Sequence, residues 1–225
     1  MDRYIIDEVP KSVYYIPNFI TESDEKLIIQ KVNNVPKPKW TQLSNRRLQN
    51  WGGIPHPKGM ISETIPSWLQ EFIDKVANLE AFDKNVKPNH VLINEYLPGQ
   101  GIMPHFDGPL FYPTIATISC GSHTILHFTK ANDFDVVNNP ITQDCKRISL
   151  LLEPRSLLIL QDSMYHDYQH CIDAVDSDVI SDSVANLRQT GENFIDGQVL
   201  ERSTRISLTI RHVPKTSKLK INFGR

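Results

Sequence analysis

Apolar positions change their period near residue 88. Before it they recur at helical spacing. Leu27, Ile28 and Val32 follow Thr21-Glu22-Ser23-Asp24, an N-cap threonine with an acid three residues later, which predicts a helix over 22–33 that Pro36 and Pro38 stop. Trp68, Leu69, Phe72, Ile73, Val76 and Leu79 form a second stripe behind Pro66, a favourable first-turn residue, and predict a second helix there. Pro10 to Phe19 reads as an extended leading strand. After Lys87-Pro88 the pattern becomes short apolar runs, predicting strands near 90–97, 103–107, 114–120, 123–129, 147–153, 156–161, 165–170 and 203–212. Pro98-Gly99-Gln100-Gly101, Gly121-Ser122, Asn138-Asn139-Pro140 and Glu153-Pro154 break them.

The expected class is therefore mainly β with flanking helices. Residues 1–87 read as helices and a basic lid region packed on a β core over 88–225, the whole forming one structural domain. Two segments, 131–146 and 173–200, look like insertions; the second is polar and lacks a clear period. Loops of that length are functional or mobile.

Composition narrows this only slightly. The hydrophobic fraction of 40% supports a real core, and no segment approaches the ~18 apolar residues of a membrane span. No basic-then-apolar leader opens the chain, and Cys120, Cys145 and Cys171 are odd in number with no C-x-x-C spacing. Both point to a reduced, intracellular protein, expected in cytoplasm and nucleus, with no membrane partner and as a monomer. The net charge of -2 hides an asymmetry: Lys37, Lys39, Arg46, Arg47 and Lys58 lie in a stretch without acids, as do Arg211, Lys215, Lys218, Lys220 and Arg225. Such segments suit a localised anionic partner, although most charge runs are solvated faces.

The chemistry begins at His105-Phe106-Asp107. Residues two apart on a strand leave the same face, so one metal can take both side chains. A third ligand must come from a later strand. His166 and His170 both qualify, and because they are four apart, spacing does not choose between them. His123 and His127, on the strand straight after the triplet, suit ordinary buried or rim histidines better. Two imidazoles and one carboxylate hold one face of a non-haem Fe(II) and leave the others open. Further on, Arg205, Ser207, Thr209 and Arg211 alternate with Ile206, Leu208 and Ile210 in strict period two. If the apolar face packs on a core, the arginines and hydroxyls point at something polar, and burying them is costly unless an anion meets them. Asn94 and Tyr96 share a face in the same way and offer neutral donors for a carboxylate or keto oxygen.

The set Asn94-x-Tyr96, His105-x-Asp107, His170 and Arg205-(five residues)-Arg211 resembles the AlkB family of Fe(II)/2-oxoglutarate dioxygenases. The likeness runs from about Val13 to Val213 and is weakest at the two insertions. It implies a double-stranded β-helix, or jelly roll, with Fe(II) at His105, Asp107 and His170. It also implies 2-oxoglutarate at Asn94, Tyr96, Arg205 and Ser207, with Arg211 near the metal end and O2 as second co-substrate. The distal histidine of the family falls at His170 rather than His166. The 35-residue gap from His170 to Arg205 is longer than the family pattern.

In that light the segment 37–58 reads as substrate-facing. Trp40, Trp51 and His56 among Lys37, Lys39, Arg46, Arg47 and Lys58 match the stacking and backbone contacts that hold single-stranded or flipped bases. The opposing reading is a basic hairpin whose tryptophans pack on the core. The expectation is thus a dioxygenase acting on nucleic acid by oxidative demethylation, releasing succinate and CO2. The alternatives are a protein side-chain hydroxylase or demethylase, and a nucleic-acid-binding protein with little turnover.

Overall fold

A computed structural model describes residues 1–10, 12–131 and 147–217. The Asn138-Asn139-Pro140 turn, Cys145, the basic residues Lys218, Lys220 and Arg225, and nearly all of the 131–146 insertion lie outside the described residues.

The chain order is β1 (Val13–Ile16), α1 (Glu22–Asn33), β2 (Thr41–Gln42), β3 (Arg47–Trp51), β4 (Met60–Ile61), α2 (Ser67–Ala77), β5 (His90–Tyr96), β6 (Ile102–His105), β7 (Thr114–Cys120) and β8 (Thr124–Lys130). It continues with β9 (Ile148–Leu152), β10 (Leu157–Gln161), α3 (Asp162–His166), β11 (Tyr168–Ile172), β12 (Ser177–Val179), β13 (Val199–Glu201), β14 (Arg205–Arg211) and β15 (Thr216–Ser217). A seven-stranded sheet, β1-β10-β7-β14-β5-β3-β2, faces a four-stranded one, β6-β11-β8-β9. Residues 1–87 are not a separate layer, because β1 pairs with β10 and β3 with β5.

The outer face of the larger sheet is apolar for the reason the sequence suggests. Ile206, Leu208 and Ile210 of β14 and Val91 and Ile93 of β5 all pack into one cluster with Ile28, Val32, Leu69, Phe72, Ile73 and Val76 of the helices. Each such side chain stabilises the fold by about 1.5–3 kcal/mol. Helix α1 starts where its capping box places it, with Thr21 Oγ1 accepting from the Asp24 N–H and the Asp24 carboxylate accepting from the Thr21 N–H. Between the sheets, Tyr15, Leu126, Phe128, Leu150, Leu152, Leu158 and Leu160 form the inner core.

Two readings need correction. The predicted strand over 165–170 is instead α3 followed by β11, so His166 ends a helix. The chain leaves β10 in one sheet and must reach β11 in the other; Asp162, at φ +46°, opens the short helix that makes this crossing. The segment 173–200 is also not a loose loop. It lies on the outer face of the smaller sheet, where Ile180 and Val184 pack with Ile125 and Leu151. The Asn186 amide bonds both the N–H and the carbonyl of Leu151 at 2.8 Å. The Glu153 carboxylate accepts from the Tyr15 hydroxyl (2.7 Å) and from the Gly191 and Glu192 N–H groups (2.9 and 3.2 Å). Side chain to backbone bonds anchor this segment, and these leave no apolar period to read.

Candidate active site

The cavity between the sheets, about 220 Å³, brings the predicted residues together. From the larger sheet it is lined by Asn94 and Tyr96 of β5, Thr117 of β7, and Arg205, Ser207, Thr209 and Arg211 of β14; from the smaller sheet by His105 of β6 and His170 of β11. Volumes below ~300 Å³ suit a small acid better than a drug-sized ligand. Strand register explains the convergence: Ser207 stands beside Asn94 on one side and Ser119 on the other, and Arg205 beside Tyr96.

His105 and His170 are direct partners across the β6–β11 pair, with ring centroids 4.3 Å apart. His166, on α3, does not line the cavity. Strand β6 ends at His105, so Asp107 reaches the site from beyond the strand rather than on it as predicted. The Met103 carbonyl lies 2.8 Å from His105 Nδ1. A carbonyl only accepts, so Nδ1 carries a proton, which in the neutral ring leaves the lone pair on Nε2. His170 Nε2 stands 4.0 Å from Asp107 Oδ2, while Asp107 Oδ1 accepts from Arg211 Nη1 at 2.7 Å.

Among the described residues no three His, Cys, Asp or Glu side chains are already drawn to metal-ligating spacing. The donor chemistry nevertheless fits Fe(II). Bonds of ~2.0–2.2 Å place adjacent donors about 3 Å apart, so Oδ2 and Nε2 need to close by roughly 1 Å. Burial pushes the His170 imidazole down to about 4, so it is neutral near pH 7, the form a metal requires. Burial alone would raise the Asp107 carboxyl; Arg211, His170 and His105 more than offset it and hold it below the usual range.

Arg205 is the unusual residue. Only 4% exposed, it donates from Nη2 to Ser119 Oγ (2.9 Å) and lies 5.8 Å from the Tyr96 ring centroid. Among the described residues its Nε has no partner and no carboxylate pairs with it. Burial lowers it to about 10, so it stays charged at neutral pH. Arg211 is equally buried but has Asp107, and its guanidinium sits 3.9 Å over the Phe111 ring. Tyr165 of α3 holds that loop by donating to the carbonyls of Gly108 and Phe111.

Of the eight residues assigned to a substrate path, only Arg46 lines the cavity. Arg47 is bidentate to Glu95 (2.6 and 2.7 Å) and stacks 4.0 Å over Trp40. Lys39 stacks 4.3 Å over Trp51 and lies 3.7 Å from Glu63. Trp40 and Trp51 pack against the outer core, and Trp51 meets Trp68 edge-on. Lys37, His56 and Lys58 are exposed. The packing reading of the tryptophans therefore describes this hairpin. His123 and His127 face away from the cavity, toward Asp178 (3.2 Å) and Asp173 (3.3 Å). Ser119 and Phe111 were missed in the sequence. Thr117-x-Ser119, a polar pair inside an apolar strand, was the available signal for the first; Phe111 had none.

A sequence model described as the 2OG-Fe(II) oxygenase superfamily matches residues 26–211. The chain is 51% identical over 226 residues to "Probable RNA/DNA demethylase ALKBH6" of Danio rerio, covering 100% of this chain and 95% of that protein. It is 31% identical to "Uncharacterized protein L905" of Acanthamoeba polyphaga mimivirus, over 89% of this chain and 84% of the other. Among solved structures, that of OsALKBH1 superposes with a TM-score of 0.57 at 15% identity, covering 90% of this chain and 99% of that one. A Pseudomonas putida prolyl-4-hydroxylase gives 0.55 at 10% identity, covering 96% and 100%.

Proposed function

This chain belongs to the 2OG-Fe(II) oxygenase superfamily, as an AlkB-type member that uses Fe(II) and 2-oxoglutarate, and from that premise we propose that it demethylates nucleic acid oxidatively at the cavity between its sheets. The observation that carries the site assignment is Arg205, a buried guanidinium that no carboxylate pairs among the described residues, across a small cavity from paired imidazoles. A charge so placed is costly unless an anion arrives to meet it.

When bound, Fe(II) and 2-oxoglutarate supply the oxidising power drawn from dioxygen, with succinate and CO2 as by-products. The residues of the chain do the rest. His105 offers Nε2 because Met103 holds its Nδ1 proton, and His170 offers a neutral ring. Asp107 offers Oδ2 while Arg211 restrains its other oxygen. Arg205 and Ser207 receive the outer carboxylate of the co-substrate, and Tyr96 and Asn94 orient the remainder. Ile102, Leu126, Leu152, Leu158 and Leu160 make part of the cavity lining apolar, which strengthens each of those charge contacts.

Nucleic acid as substrate is supported by the name carried by the zebrafish relative and by the exposed cations Lys37 and Lys58. Succinate release is the readout that tests it, measured against methylated DNA and RNA oligonucleotides and methylated peptides. Turnover raised at least severalfold by a methylated oligonucleotide is expected. Stimulation by peptides alone would overturn the substrate and leave the oxygenase in place.

A further inference from the structure

Arg46 faces the cavity, yet the roles above leave it unused. It immediately precedes β3, whose first residue, Arg47, pairs with Glu95, the chain neighbour of Asn94 and Tyr96. The Arg46 Nε–H donates to Asn94 Oδ1 at 3.0 Å. Arginine has no acceptor, so chemistry alone requires the amide oxygen of Asn94 to face Arg46. The Asn94 NH2 is then turned the other way. Asn94 is 6% exposed and lines the cavity, and among the described residues its nitrogen has no hydrogen-bond partner.

We propose that Arg46 is a positioning residue of the co-substrate pocket: it fixes the Asn94 amide so that a donor, never an acceptor, meets the incoming dianion. Released from Arg46, the amide can turn over and set its oxygen against a carboxylate. The hairpin itself does not depend on this contact, since Arg47 holds Glu95 and Leu48 pairs with Asn94 through the backbone. The inference rests on the co-substrate reading of the cavity.

Three substitutions separate orientation from charge. R46Q places an amide N–H where the arginine has Nε, so it keeps the lock without the charge. R46K keeps a charge but has carbon at that atom. R46M keeps neither. Anaerobic calorimetric titration of 2-oxoglutarate in the presence of Mn(II) should show R46M and R46K weakened about tenfold and R46Q within about threefold of the parent. Mn(II) affinity without co-substrate should be unchanged in all three, and in turnover the loss should appear in the 2-oxoglutarate KM rather than in kcat. Parent-like binding by R46M overturns the proposal. So does recovery in R46K with loss in R46Q, which would make charge the contribution. If R46M does not fold, the glutamine and lysine variants decide between these outcomes. A parent that binds no 2-oxoglutarate at all defeats the reading of the cavity and takes this inference with it.

Discussion

The four-stranded sheet faces the cavity with imidazoles, and the seven-stranded sheet faces it with guanidiniums, an amide and hydroxyls. Burial acts on both but with different results. It discharges His170, pushing it down to about 4, while Arg205 falls only to about 10 and remains a cation. One wall can therefore become neutral and ligate a metal. The other keeps its charge. The same lesson appears three residues apart in the chain. Arg202 is bidentate to Asp178 at 2.7 Å on both nitrogens, a self-contained structural pair. Arg205 has no such partner among the described residues. A buried arginine with its own carboxylate is compensated within the fold; one without it leaves a buried charge uncompensated.

The strongest way to break the contrast is on the imidazole wall. His170→Ala should abolish Mn(II) or Fe(II) binding, whereas His166→Ala, on α3 and outside the cavity, should bind as the parent does. Equilibrium metal titration of both variants checks this, and the reverse pattern would reassign the ligand. Next comes the guanidinium wall. Removing a bidentate, charge-assisted contact worth a few kcal/mol predicts about hundredfold weaker 2-oxoglutarate binding in Arg205→Ala, by anaerobic titration. Affinity equal to the parent would mean that the charge serves only the fold.

The smallest effect sharpens the contrast from the structural side. Burial alone would raise the Asp178 carboxyl, but His123 and the bidentate Arg202 bring it down to about 2, below the ~3.9 of an unfolded chain. His123 Nε2 is 3.2 Å away but off hydrogen-bonding geometry. A lowered folded value means the pair stabilises above about pH 4, and this contribution fades as pH falls toward 2. It is worth about 2 kcal/mol at neutral pH, with the side chain 5% exposed. Denaturant unfolding between pH 7 and pH 2 should show Asp178→Asn less stable at pH 7 and with a shallower acid loss. Identical slopes in parent and variant would remove the pair from the stability of the fold.

How much of this could be read from residues alone depended on whether a signal repeats. The face Arg205, Ser207, Thr209 and Arg211 was legible because seven residues alternate without exception, and the structure turns that face into the cavity. Helix α1 was legible because capping is local. His166 and His170 were not separable, since a spacing of four suits a shared strand face and also suits a helix end followed by a strand. Arg46 and Arg47 looked alike as neighbouring cations, but adjacent residues on an extended chain point to opposite faces, and only the pairing with β5 decides which faces the cavity. Reversing both to glutamate would therefore strike Asn94 and Glu95 first.

The pairing of β1 with β10 has a consequence in time. Val13 meets Leu160 and Ile16 meets Leu157, so β1 leaves the ribosome far ahead of the strand that completes it. At about 5–20 residues per second that interval is roughly 7–30 s. Val13, Tyr15 and Ile16, all buried in the finished fold, spend it without their sheet. An unpaired apolar strand is a template for pairing with other chains, and charges or a proline beside it discourage that. Asp7, Glu8 and Pro10, a few residues ahead of β1, are of the kinds that discourage such pairing.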